Sequence, residues 1–186
     1  MAKPGRPFQA AGRLAAVPFR FSFTAPSAPA VARVRATPQE PLEDLDDYCY
    51  LAMVGCGVLA RTDAAFHIGG FGWDDWHFDV GYDMSAFVEE LPGLIDGLRA
   101  GRETELDLYP QGVERTLTFR PDGERVRIGC VSRTSWVPRP DVEVRAADEL
   151  MDDCVRLATD VATAIAAVAP ALAPLPPFES WLRGDV

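Results

Sequence analysis

Two short segments, Tyr109-Pro-Gln-Gly112 and Arg120-Pro-Asp-Gly123, repeat one turn signature and leave only enough chain between them for a single strand. In each, proline is preset for the first central position of a turn and glycine is free to take positive φ at its end, so each predicts a hairpin closed by a glycine bulge. The flanking residues alternate as half-buried strands do: Leu106 and Leu108, then Val113, Leu117 and Phe119, then Val126, Ile128 and Cys130. A three-stranded antiparallel meander over residues 103–131 follows. Its polar face carries Glu105, Asp107, Tyr109, Glu114, Thr116, Thr118, Arg125 and Arg127, while Arg115 is a charged intruder in the apolar row.

Around the meander the pattern changes period. From Asp83, read as an N-cap, Met84, Phe87, Val88, Leu91, Leu94, Ile95 and Leu98 recur at helical spacing up to Gly101, with Pro92 inside predicting a kink or a break. A longer amphipathic helix runs from Ala147 to Ala169 and stops at Pro170. Asp141–Arg145 reads as a short strand. Tyr48–Val54, apolar on both faces, reads as a central strand, and Phe66–Ile68 with Trp76–Val80 as a hairpin around the glycine-rich tip Gly69–Asp75. The fold class is therefore α+β: an antiparallel sheet including the meander, packed against one kinked amphipathic helix and one long C-terminal helix. Residues 40–186 are expected to form this single domain. Residues 1–39, rich in Ala, Pro and Arg, are expected to form a partly disordered extension whose alternating stretch Val17–Thr24 docks on the domain edge.

Charge narrows the function. Residues 1–39 carry six basic side chains and no acid, as a transit peptide or an upstream start read through GC-rich sequence would, whereas the whole chain has a net charge of −10. The body is thus strongly acidic, repels a nucleic-acid backbone and attracts a cationic protein partner. One lysine against seventeen arginines points to a GC-rich, bacterial genome. Four cysteines without a Cys-x-x-Cys pair suggest reduced thiols and a cytoplasmic setting. The longest apolar stretch, Val161–Pro177, is too broken by proline to span a membrane.

The order of meander, amphipathic helices and acidic body over residues 40–183 resembles the small α+β immunity-type proteins that bacteria make against basic nuclease toxins. That resemblance implies a non-enzymatic inhibitor that neutralises a basic partner by contact.

Two groups of residues compete as the site. As interface anchors, Trp73 in the glycine-rich loop and Trp136 in the proline-rich loop join Tyr109, Glu114 and Arg115 of the meander. As a metal set, Asp75, His77 and Asp79 share one face of an extended stretch, with His67 brought across the hairpin. Solvated carboxylates, with Asp83 as an N-cap, account for the second group better than a metal does, so no cofactor is expected, with a divalent metal as the alternative. No nucleophile elbow or phosphate-binding loop is present. The remaining functional classes are a metal-dependent enzyme and an accessory subunit pairing through its flat sheet face.

Overall fold

The computed structural model describes residues 18–38 and 41–186; Val17 of the first expected strand, the segment before it and residues 39–40 lie outside the described residues. The elements run β1 (Arg20–Thr24), α1 (Ala28–Arg35), α2 (Tyr48–Leu59), β2 (Ala65–Gly69), α3 (Asp83–Arg99), β3 (Thr104–Leu108), β4 (Arg115–Asp122), β5 (Arg125–Ser132), β6 (Val142–Ala146), α4 (Ala147–Val168) and α5 (Phe178–Leu182). A four-stranded antiparallel sheet β3-β4-β5-β6 and a two-stranded sheet β1-β2 make the fold α+β.

The meander forms in the register that the alternation requires, with Leu106 opposite Leu117 and Leu117 opposite Cys130. All three side chains are buried, as are Phe119, Val126 and Ile128 in the same inward rows. Helix α3 packs against β3 and β4 and against helices α2 and α4, which leaves the other sheet face to solvent. At the first turn the Pro110 carbonyl accepts from the amides of Val113 (3.0 Å) and Glu114 (3.1 Å), with Gly112 at φ 93°. The second turn differs from expectation. Its tip is Gly123-Glu124, with Gly123 at φ 61°, and Pro121 sits inside β4 opposite Val126. Proline is tolerated there because β3 reaches only as far as Phe119, so no neighbouring strand asks Pro121 for a donor.

Three expectations are corrected. Tyr48–Val54 is helix, the first part of α2, because a run apolar on every side suits a buried helix as well as a buried strand. The Asp47 carboxylate caps it by accepting from the Tyr50 amide at 3.1 Å. A Cβ on Gly55 would stand 2.6 Å from Ile165 Cδ1 of α4, so glycine there permits close helix packing. Trp76–Val80 is not a strand: Trp76 donates its amide to the Ile68 carbonyl at 2.8 Å, and the chain then bends at His77, φ 57°. The partner of β2 is instead β1, with Phe21 opposite Ile68 and Phe23 opposite Phe66. Asp83 opens α3 without capping it, since Tyr82 holds the cap position; of the two outcomes expected at Pro92, a kink or a break, the break does not occur.

The strand expected within residues 17–24 is present as β1, and α1 forms in the stretch expected to be loose. Phe19, Phe21, Ala30 and Val34 join the core, and α1 packs on α4 behind an N-cap from Ser27. Among the described residues no helix is long and apolar enough to cross a membrane.

Candidate functional site

Arg115 is the first residue of β4, and its side chain points inward with Leu117 and Phe119, leaving it 1% exposed. Three tryptophans close over it. Its Cζ lies 4.3 Å from the ring centroid of Trp76, 4.5 Å from that of Trp136 and 5.2 Å from that of Trp73. Trp73 and Trp136 are 5.6 Å apart and Trp76 and Trp136 6.1 Å, each pair tilted by nearly 60°. Nε and Nη1 are sealed from solvent and have no hydrogen-bond partner among the described residues. Burial pushes the guanidinium down to about 10, against the pull of Cys130 and Asp83, so it stays charged at neutral pH.

The rings are held from three segments. Gly70 and Trp73 exchange amide-to-carbonyl bonds of 2.8 and 3.0 Å, and the Gly70 carbonyl also accepts from Trp76 Nε1 at 3.4 Å. Gly72, at φ 84°, packs so tightly that a Cβ would stand 2.3 Å from the Arg139 carbonyl oxygen. Arg139 in turn donates its amide to the Phe71 carbonyl at 2.8 Å, which fixes the proline-rich loop carrying Trp136 to the glycine-rich loop. Below, the buried Glu143 carboxylate of β6 accepts from the amides of Phe71 (2.7 Å) and Phe19. Burial pushes the Glu143 carboxyl above the usual range despite those two donors.

The cage gathers Trp73, Arg115 and Trp136, three of the five residues read as interface anchors, and adds Trp76. The other two have different partners. Tyr109, 47% exposed, donates its hydroxyl to Glu89 Oε2 at 3.1 Å, and Glu114 accepts from the Gly112 amide in the turn. Glu143 was not anticipated, because in Val142-Glu143-Val144 the alternation predicts valines inside and the acid outside. The strand lies the other way round, with Glu143 buried and Val142 and Val144 exposed.

The metal set does not assemble. His77 is exposed at the bend, its Nδ1 3.2 Å from Asp75 Oδ2, and edge-on to Trp73. The His77 amide holds the Asp75 carboxyl below its usual range, with smaller help from the His77 and His67 imidazoles. Asp79 accepts from the Tyr82 amide and takes no part in that pair. His67 lies on β2 opposite Ser22. Among the described residues no group of three or more His, Cys, Asp or Glu side chains converges as a metal ion requires.

No protein-family model matches this chain, and no curated protein or solved structure matches it either. The fold and the site together define an α+β domain with one bare sheet face and a buried, tryptophan-caged cation.

Proposed function

We propose that this domain is a non-enzymatic interaction module that presents acidic surface to a basic protein partner, as an immunity-type inhibitor does. The observation that carries the reading is an acidic patch where the start of α2, α3 and β3 meet, built on two glutamates. Glu89 and Glu90 are half-buried side by side on α3, and neither has an ion-pair partner among the described residues. Burial raises both carboxyls; Glu90 and Asp47 add to the rise at Glu89, and Asp107 adds to it at Glu90. Tyr82 and Tyr109, 52% and 47% exposed, flank the patch with flat faces suited to lysine or arginine.

Such charges cost the fold stability, and the cost has a pH signature. The folded state holds protons on Glu89 and Glu90 above the ordinary glutamate range, where the unfolded chain has released them, so stability falls as pH rises through that window. Glu89→Gln and Glu90→Gln are each expected to raise the melting temperature at pH 7, solvent screening limiting the gain to about 1 to 2 °C. The gain should vanish below about pH 4, where both states are protonated. Thermal melts across that range check it.

The same substitutions should weaken partner binding. With the partner captured from the source organism, the association rate is expected to fall about tenfold between low and physiological salt, as lost electrostatic steering requires, and chelator should leave it unchanged. A rate indifferent to salt, or one unaltered in the double Glu89→Gln/Glu90→Gln variant, would sink the reading.

A further inference from the structure

The guanidinium of Arg115 is a charged group held 1% exposed among aromatic rings. Taking a cation out of water is costly, and tryptophan faces return only part of that cost. Two of its nitrogens find no acceptor among the described residues, although buried guanidinium groups ordinarily find one. Nothing within β4 asks for charge at this position, since its inward row continues with Leu117 and Phe119. A fork held rigid by three loop-anchored rings and left without an acceptor is arranged for something that is not part of the chain.

We propose that Arg115 is the receptor of a second site, separate from the acidic patch and not resting on it, which takes one carboxylate group beneath Trp136 and Trp73. A carboxylate oxygen can accept directly from Nη2, and its second oxygen completes the parallel pair with a neighbouring N–H once Trp73 or Trp136 turns aside. Access is on the side of Nη2, the one guanidinium nitrogen not among the sealed atoms. Trp73 and Trp136, both half-buried, form the outer wall there, and Val137 beside Trp136 is 61% exposed. A planar carboxylate matches the planar guanidinium better than a tetrahedral oxyanion does. Charge selects in the same direction: Asp74 and Asp75 follow Trp73 in the loop, and Asp83 lies within Coulombic reach of the guanidinium. These carboxylates penalise a dianion such as phosphate about twice as heavily as a monoanion.

The cage holds three of the chain's four tryptophans, so intrinsic fluorescence reports on it directly. Sodium acetate titrated at constant ionic strength is expected to give a saturable change in emission, with sodium chloride and sodium phosphate giving none. The acetate response should disappear in Arg115→Met and weaken at least tenfold in Arg115→Lys, which keeps the charge but loses the fork. A short peptide with a free C-terminal carboxylate, compared with its amide, separates the two sources: a response to the free acid form alone that exceeds that of acetate identifies a chain terminus, and one equal to acetate identifies a free small acid. In the wild-type protein, the Arg115 Nε–H resonance should move on acetate addition. An unmoved resonance, an acetate response that persists in Arg115→Met, or an equal response to phosphate would overturn the proposal.

Discussion

Replacing Glu143 with alanine is expected to cost about 3 to 5 kcal/mol of folding stability, a fall in melting temperature of roughly 10 to 15 °C. The carboxylate accepts from the buried amides of Phe71 and Phe19, which lie in the glycine-rich loop and at the entry to β1. Among the described residues neither amide donates to any other acceptor, and each buried donor left without one costs about 1 to 3 kcal/mol. The loss also spreads, because Phe19 packs against Phe21, Phe71, Trp76 and Phe119, so freeing its amide loosens the contact between the small sheet and the large one. Glu143→Gln keeps one accepting oxygen and turns an NH₂ group on the other amide, so about half the loss is expected. Urea unfolding of the two variants checks both figures. An alanine variant within 1 kcal/mol of wild type would show that water or a shifted backbone replaces the carboxylate.

How far these features can be read from the sequence depends on whether the deciding force is local. The meander and the long helix α4 are legible because alternation, turn residues and helical periodicity act within a few positions of each other. Helix α2 is not, since Tyr48–Val54 has no polar face to set a period, and what settles it is the close approach of Ile165 to Gly55, more than a hundred residues away. The pairing of β2 with β1 was hidden by an Ala- and Pro-rich composition that reads as a loose extension, although Phe19 and Phe21 carry core-sized side chains. At the site, Arg115 announced itself as a charge in an apolar row, and Trp73 and Trp136 as aromatics in loops. Their convergence was invisible, because it rests on the Arg139–Phe71 hydrogen bond between two irregular segments. Glu143 was misleading in principle: a Val-Glu-Val strand looks as if it buries its valines, and only the two amides waiting above β6 reverse it.

Arg115 allows a sharper experiment, because its volume and its charge can be removed separately. Arg115→Ala takes away both and leaves a void ringed by Trp73, Trp76 and Trp136; by comparison with other large buried side chains it is expected to cost about 3 to 5 kcal/mol. Arg115→Met fills nearly the same space with an unbranched, polarizable chain that packs well against aromatic edges. It gives up three cation–π contacts, each worth about 0.5 to 2 kcal/mol, and in exchange removes the burial of a charge with two unmade hydrogen bonds. These nearly cancel, so Arg115→Met is expected to lie within about 1 kcal/mol of wild type or above it, as buried charges replaced by apolar residues often do. A stable methionine variant that no longer responds to acetate means the charge is kept for a ligand, at the fold's expense. If methionine instead costs as much as alanine, the guanidinium holds the three tryptophans together by its charge, and the cage is a structural clasp.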